Sequence, residues 1–387
     1  KTVRQSQKFF YFASSLALGA CNGGSNPEPS QFFQATKGNA TFEGGKGRDS
    51  VSYVDIVSPI DADLSKPTEQ VTFDNYAHTL IHIEDIIGTS FDDTITTNHA
   101  NSVVTGGAGC DVFKVISGTT TITDLETCDV FVVSENAVLN AYVQTEFLAS
   151  VETSSLGIVK IMAGSPSSDV DIGSNIDLAL ASGDSFTLYG GSGQNILTGG
   201  PFNDILIGGY ESDIFKIVSG IDTVTDLATG DVLIVLSGAT VNAIDISHFI
   251  ATSETSNSGL ANLSSGDSGS TIVLTNSTNG AYSLIGGNGV DLLTGGPEDD
   301  SLTGGLGNDT FNVTSGIDTV TDLATGDILV VSSGATANAT SVSQFTATNN
   351  TINNGTATIY SGDSGSEVSF NNSGGGIYSL IGGNGVD

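Results

Sequence analysis

Tryptophan is absent from the 387-residue chain, methionine occurs once, and aromatic residues make up only 7% of the sequence. The large side chains that fill the core of an ordinary globule are therefore scarce. A stack of thin repeats needs few of them, because each layer buries only a small face against its neighbours. The 50 glycines and the many Ser, Thr, Asn and β-branched residues also disfavour long helices.

Basic residues are equally scarce, since ten Lys and Arg stand against 43 Asp and Glu and give a net charge of −33. Nucleic acid is excluded as a partner, because its recognition needs clustered Lys and Arg. Adsorption to an anionic membrane surface is disfavoured for the same reason. The acidic excess alone indicates solubility, but most of the acids are Asp in a fixed register, and such a ladder favours a hard cation.

Cysteine occurs only three times. Cys21 follows a basic start and an apolar run from Phe9 to Ala20, which is the pattern of a secretion signal. The run is too short to span a bilayer comfortably. The motif Leu18-Gly19-Ala20-Cys21 resembles the lipobox of bacterial lipoproteins, in which the cysteine is acylated after cleavage. A plain signal peptide with an incidental cysteine is the alternative.

A long period organises the rest of the chain. The Gly-Gly-x-Gly motif at Gly190 returns at Gly286 and again at Gly382, 96 residues later each time. A divergent copy begins at Gly106, 102 residues before Gly208. Self-similarity at a long period is the signature of a repeat array.

A shorter period of nine residues runs inside each unit, through five consecutive blocks that start at Gly88, Gly190 and Gly286. Position six is Asp in twelve of the fifteen blocks, and position eight is apolar in all fifteen. Composition alone would give neither result. The position-eight residues are Ile95, Val104, Phe113, Ile122, Phe131, Leu197, Leu206, Phe215, Val224, Leu233, Leu293, Leu302, Phe311, Val320 and Leu329.

Each block divides into a turn and a short strand. Glycine at positions one, two and four permits positive φ and a close approach of the backbone, which a tight turn requires. Residues seven to nine form a strand whose middle side chain points inward. Two blocks therefore make one coil of 18 residues, with two strands facing each other across a thin core.

This pattern resembles the GGxGxDxUx nonapeptide of the RTX, or hemolysin-type calcium-binding, family, in which U is a large apolar residue. The resemblance covers Gly44 to Ser52, the three five-block arrays and the last six residues. It implies an all-β fold, a right-handed parallel β-roll or β-solenoid whose arrays are separated by β-rich spacers. It also implies Ca²⁺ ions between successive turns, held by the Asp carboxylates and turn carbonyls.

Carried over residue by residue, the resemblance makes twelve Asp residues calcium ligands, with Asn195 as a weaker member. Asp49 and Asp387 belong to less complete arrays. Carboxylate and carbonyl oxygens supply the six to eight hard ligands that Ca²⁺ prefers. An Asp that only forms turns is the alternative, but it predicts Asn and Ser as often as Asp at position six. The ligands are Asp93, Asp111, Asp129, Asp204, Asp213, Asp222, Asp231, Asp291, Asp300, Asp309, Asp318 and Asp327.

The same register predicts a disulfide. Cys110 and Cys128 both occupy position five of their blocks, 18 residues apart. One coil separates them, so they should lie on neighbouring strands at about 4.8 Å, within the Cα range of a disulfide. Cys21 is then left for the lipid.

The expected organisation has ten segments, and we expect a short helix near Ile244 to Ile250 within the second spacer. The segments are a signal at 1–20, a flexible tether at 21–40, a degenerate RTX lead-in at 41–87, array 1 at 88–132, a spacer at 133–187, array 2 at 188–240, a spacer at 241–284, array 3 at 285–336, a spacer at 337–380 and the start of a further array at 381–387.

Catalytic motifs are not found. His78 and His82 are four residues apart without the glutamate of a zinc protease motif, so we expect both to be surface residues. The predicted function is an extracellular, calcium-binding structural or adhesin-like protein that is not an enzyme and folds on Ca²⁺ after export. Its expected location is outside the cell or on the bacterial surface, including an outer-membrane lipoprotein, with cell-surface glycans or other surface proteins as partners and the membrane reached only through Cys21. The alternative is the RTX folding and secretion region of a secreted polysaccharide-modifying enzyme or protease, with its catalytic domain outside this chain.

Overall fold

The structure is a computed structural model, and it describes residues 29–166, 173–266, 268–362 and 365–385. The expected signal, Cys21 and Asp387 lie outside the described residues. The described part consists of 42 strands and contains no helix, so none of its elements is a helix able to cross a membrane.

Eighteen strands form one continuous sheet, here called the long sheet, in which each strand pairs in parallel with the next one along the stack. At about 4.8 Å between strands, this sheet is about 80 Å long. Its strands are Phe32–Gln34, Ser50–Ser52, Asp85–Ile87, Ser102–Thr105, Thr119–Ile122, Val138–Val143, Ile158–Ala163, Phe186–Tyr189, Ile205–Ile207, Ile221–Val224, Thr240–Ile246, Leu260–Ser265, Tyr282–Ile285, Ser301–Thr303, Ile317–Val320, Thr336–Val342, Thr356–Ser361 and Tyr378–Ile381.

The opposite face of the solenoid is divided among four shorter side sheets. The first contains Ala40–Glu43, Asp61–Asp63, Val71–Phe73, Tyr76–Ile81, Thr94–Thr97, Val112–Val115, Val130–Val133, Ser154–Ser155 and Ser182–Gly183. The second contains Glu146–Leu148, Asn175–Asp177, Ile196–Thr198, Ile214–Ile217, Val232–Val235 and Ser256–Asn257. The third contains His248–Ile250, Thr271–Val273, Leu292–Thr294, Thr310–Val313, Ile328–Val331, Ile352–Asn353 and Gly374–Gly375, and the fourth contains Gln344–Thr346 and Glu367–Ser369.

The predicted coil of 18 residues is confirmed inside the arrays. Phe113 lies between Ile95 and Phe131 on neighbouring strands, each 18 residues away. All fifteen position-eight side chains are buried in one hydrophobic core, each with at most 1% of its surface exposed. The nine-residue period thus places one or two apolar side chains per array strand inside, which is why so few large residues are needed.

The expected spacers are not separate structures, because the long sheet continues through them. Their coils are longer than 18 residues: in the second spacer Ile221 pairs with Thr240, Thr240 with Leu260, and Ala261 with Tyr282. The coil between Thr240 and Leu260 begins the third side sheet with His248–Ile250 before the second side sheet ends with Ser256–Asn257. A spacer therefore transfers the opposite face from one side sheet to the next.

The expected helix near Ile244 to Ile250 is wrong. These residues belong to two strands, Thr240–Ile246 and His248–Ile250. The pairing with the next coil shifts between Ala243 and Ile246, where Asp245 adopts a φ of 58°. The β-branched residues of this segment favour a strand and continue the long sheet, with a bulge at Asp245.

The amino-terminal part contains the antiparallel pairings of the described residues, in which Val71–Phe73 lies between Asp61–Asp63 and Tyr76–Ile81. His78, expected at the surface, is fully buried there. Its ring nitrogens lie 3.1 Å from the Tyr53 hydroxyl and 2.7 Å from the Gly38 carbonyl. Burial lowers the pKa of His78, and both of its ring nitrogens already have partners in the protein, so this histidine is a core residue.

Candidate metal centre

Position-six residues lie at or beside the start of each array strand and form two ladders, one on each edge of the solenoid. The side ladder precedes the side-sheet strands, and the long-sheet ladder precedes the long-sheet strands. The side ladder comprises Asp93, Asp111 and Asp129 in array 1, Asn195, Asp213 and Asp231 in array 2, and Asp291, Asp309 and Asp327 in array 3. The long-sheet ladder comprises Ser102 and Thr120, then Asp204 and Asp222, then Asp300 and Asp318. All fifteen are buried.

Where one ladder Asp follows another, its Oδ1 accepts a hydrogen bond from the backbone of the preceding coil. Oδ1 of Asp222 accepts a hydrogen bond of 2.9 Å from the backbone N–H of Asp204, and Oδ1 of Asp318 accepts one of 3.0 Å from Asp300. The side ladder repeats this arrangement, as between Asp309 Oδ1 and the N–H of Asp291 at 2.9 Å. The spacing of one coil therefore fixes each carboxylate at the edge.

The second oxygen of several of these carboxylates is buried without a partner. Oδ2 has no hydrogen-bond partner in Asp111, Asp222, Asp291 and Asp318. Leaving an ionised oxygen buried and unpaired is costly. These oxygens are therefore oriented toward something that the polypeptide does not provide.

Glycine at position one leaves a space beside these oxygens that a Cβ atom would fill, and this space is here called the cradle. A Cβ on Gly199 would lie 2.7 Å from Oδ2 of Asp222 and 3.1 Å from Oδ2 of Asp204, so carboxylates from two consecutive coils converge there. Gly295 has the same relation to Asp318 and Asp300, at 2.6 and 2.8 Å. Neither glycine has a positive φ, so close approach, rather than backbone conformation, requires glycine at these positions.

The side ladder combines carboxylate with backbone oxygen. A Cβ on Gly286 would contact the carbonyl oxygen of Gly304 and would lie 2.6 Å from Oδ2 of Asp291. Gly88 is placed likewise beside Asp93 and the carbonyl of Gly106. Position-two glycines such as Gly305 (φ 93°) provide the left-handed turn that presents these carbonyls.

Burial raises the pKa values of these carboxyl groups. It raises the pKa of Asp222 to about 8 and those of Asp111, Asp129 and Asp318 to about 7, and the charge of a neighbouring Asp adds to the effect in each of these four. The charged form is thus unfavourable in the protein alone. A bound divalent cation would reverse this preference.

Array 1 lacks carboxylates on its long-sheet ladder. Thr120 Oγ1 instead lies 2.6 Å from Thr97 Oγ1, and Ser102 Oγ has no partner. Neutral hydroxyls are poor ligands for Ca²⁺. The two edges of array 1 therefore differ in chemistry, because only its side ladder carries carboxylates.

A third set of acids was not singled out as functional from the sequence. Asp124, Asp226 and Asp322 replace glycine at position one of each final block. Asp322 accepts hydrogen bonds from the N–H groups of Gly304 and Gly305 in the preceding coil, at 2.9 and 2.6 Å. Asp124 and Asp226 likewise accept hydrogen bonds from the glycine pair of the coil that precedes each of them. The recurrent Asp-Leu-x-Thr-x-Asp block was the signal. Through these hydrogen bonds, the three carboxylates stabilise the turn that carries the side ladder.

The two described cysteines lie on the same edge. The Sγ atoms of Cys110 and Cys128 are 2.12 Å apart and their Cα atoms 5.1 Å apart. Cys128 has a φ of 82°, where arrays 2 and 3 have Gly230 and Gly326 with φ near 110°. The bond thus joins consecutive coils at a position otherwise reserved for glycine.

These ladders fit a hard cation. Among the described residues no three Asp, Glu, His or Cys side chains converge on one point, so backbone carbonyls must complete any coordination shell. The unpaired carboxylate oxygens and the turn carbonyls together supply hard oxygen ligands, which Ca²⁺ prefers. The fold and site therefore define a parallel β-solenoid with buried carboxylate ladders at its turns.

Comparison with known families agrees. The model of the RTX calcium-binding nonapeptide repeat matches the chain in four copies, over residues 83–113, 189–224 and 285–320. The chain thus contains RTX calcium-binding nonapeptide repeats in these three segments. No curated protein matches the chain.

Substitutions at the fourth block of each array should separate the two edge types. We expect Asp222→Ala and Asp318→Ala each to lower the number of Ca²⁺ ions bound, because each removes a converging carboxylate. Thr120→Ala, at the same position of array 1, should leave the number unchanged. Titration calorimetry of the full chain measures all three. Equal losses in the three variants would show that the edge assignment is wrong.

Proposed function

We propose that the chain is an extracellular, calcium-stabilised structural or adhesin-like protein of the bacterial surface, with the twelve ladder Asp residues as its calcium ligands. The observation that carries this proposal is the continuity of the long sheet, which joins all three arrays and their spacers into one elongated body. Such a body acts through shape and repetition, so we propose no catalytic activity for it. Cell-surface glycans or other surface proteins are the proposed partners.

The need for calcium would link the folding of this protein to its export. Free Ca²⁺ is low in bacterial cytosol and higher outside, so buried Asp ladders that need a cation would be completed only after export. Surface attachment through a lipid on Cys21 fits the lipobox-like segment before it. The protein would then be anchored to the membrane without spanning it.

Localisation and binding test this function together. We expect the native protein in the membrane fraction, open to external protease, and binding of the purified protein to surface glycans or proteins in Ca²⁺ but not in chelator. A cytoplasmic protein, or binding that chelation leaves unchanged, would contradict the proposal. Hydrolysis of a polysaccharide or protein by the natural gene product would support the alternative of a secreted enzyme.

Mass spectrometry of the native protein tests its covalent state. We expect acyl chains on Cys21 as the new amino terminus, and a peptide pair linked through Cys110 and Cys128 after non-reducing digestion. A Cys110→Ser variant provides the control, since it should release a free thiol at Cys128 and leave the lipid unchanged. Free thiols at both positions in the exported protein would rule out the bond.

A further inference from the structure

The outer face of the long sheet is almost free of charge. Fifteen strands, from Ser102–Thr105 to Tyr378–Ile381, present outward residues on either side of each inward one. The outward residues are mostly Thr, Ser, Asn, Tyr, Met and aliphatic side chains, and Lys160 and Asp245 are the charged residues among them. This is unexpected in a chain whose net charge is −33.

The same face exposes large apolar side chains. Ile158, Ile205, Ile221, Leu260 and Ile317 lie on outward positions of these strands, with between 41% and 66% of their surface exposed. Isolated exposed apolar residues are normal, but a series along one uncharged face marks an interaction surface. The side sheets offer no equivalent, because they are interrupted at every spacer.

We propose that the long sheet is a self-association surface on which a second copy of this chain stacks face to face, with calcium-loaded edges. The inference rests in part on the proposed function, because it needs the calcium-loaded fold. The area of the face and the distribution of charge both favour a second copy of the chain as the partner.

The area suits a stable dimer. Fourteen spacings of about 4.8 Å and two outward rows, each about 7 Å wide along the strand, give a face of about 67 by 13 Å, or about 900 Å² per copy. A standard protein interface buries about 800 Å² per partner. Two sheets stacked in this way lie about 10 Å apart, with their side chains interdigitated.

The charge distribution selects the same face. The acidic residues of the arrays lie mainly in the turns, so two copies repel each other when edge meets edge. The long sheet is the extended surface on which they can approach with few opposing carboxylates, since Asp245 is the one exposed Asp or Glu on these fifteen strands. A twofold arrangement pairs the patch with itself, so one substitution changes the interface twice.

A matched pair of variants tests the proposal. Ile205 and Ile214 both occupy position seven of consecutive blocks, but Ile205 points outward from the long sheet and Ile214 from the second side sheet. Sedimentation of the full chain in millimolar Ca²⁺ should show a dimer. Ile205→Glu should raise its dissociation constant at least about tenfold, since two unpaired charges enter one interface, and Ile214→Glu should not.

Circular dichroism of the same samples separates this inference from the proposed function. A folded protein that stays monomeric at all concentrations, or equal effects of the two variants, would overturn self-association and leave calcium-dependent folding intact. If the folded chain is monomeric and Ile205→Glu abolishes binding to a neutral polysaccharide, the face binds glycan and the proposal is wrong. A chain that does not fold in Ca²⁺ would contradict the proposed function itself.

Discussion

Removal of calcium should unfold most of this chain. Without the cation, the long-sheet ladder brings pairs of carboxylates together beside Gly199 and Gly295, and the burial of Asp222 and Asp318 disfavours their charged forms. Each array strand adds only one or two apolar side chains to the core, and this thin core cannot offset the cost in a chain of charge −33. We therefore expect the β-sheet circular dichroism signal to be lost in chelator and to return in millimolar Ca²⁺.

Two controls accompany this experiment. Mg²⁺ should restore the signal poorly, because it requires near-ideal octahedral geometry and retains its water ligands. Acid should partly replace Ca²⁺: a folded-state pKa raised above the unfolded value stabilises the metal-free fold below the unfolded pKa, and this contribution disappears as the pH rises through about 7 to 8. An unchanged β-sheet signal in chelator at neutral pH would contradict the expectation.

We expect the second largest effect on calcium binding and stability from Gly295→Ala, which places a methyl group in one cradle. A Cβ at position 295 would lie 2.6 and 2.8 Å from Oδ2 of Asp318 and Asp300. The backbone of Gly295 is not in the left-handed region, so Gly295→Ala acts through its methyl group alone. We expect fewer bound ions and a loss of about 1–3 kcal/mol of stability in Ca²⁺, as for overpacking, measured by calorimetric titration and thermal unfolding.

The control for this variant is Gly374→Ala. Gly374 also has an ordinary φ, and a Cβ there would meet only a side-chain carbon of Ile352, at 3.7 Å. Its calcium number should equal that of the wild type. Equal behaviour of the two variants would show that the cradle beside Asp318 holds no ion.

The arrays were predictable from sequence because their geometry is strictly periodic. A coil of 18 residues returns each position to the same place, so the apolar residue at position eight and the Asp at position six could be assigned to the core and to the edges. The pairing of Asp204 with Asp222 and of Asp300 with Asp318 follows from the same spacing.

The spacers could not be assigned in this way. Their coils shift by more than 18 residues, as in the pairing of Thr240 with Leu260, so no fixed position carries a signal. Opposite Asp222 and Asp318, the spacer coils place Val241 and Ala337 in the ladder. Apolar residues thus end the two carboxylate runs of the long-sheet ladder, although nothing in their local sequence marks them as ladder positions.

Two further features depend on contacts that no local pattern reports. Asp322 occupies position one, outside the ladder, and its carboxylate accepts hydrogen bonds from two glycines 17 and 18 residues away. His78 alternated like a surface strand residue, but the coil beneath it provides Tyr53 and Gly38 as partners. Both depend on which coil lies alongside.

The most direct test of the ladder assignment is a crystal grown in Ca²⁺ and measured for anomalous scattering. The account predicts calcium peaks between position-six Asp residues of consecutive coils, on both edges of arrays 2 and 3. In array 1 it predicts peaks only along Asp93, Asp111 and Asp129. Peaks beside Ser102 and Thr120, or none beside Asp222 and Asp318 in a folded chain, would contradict it.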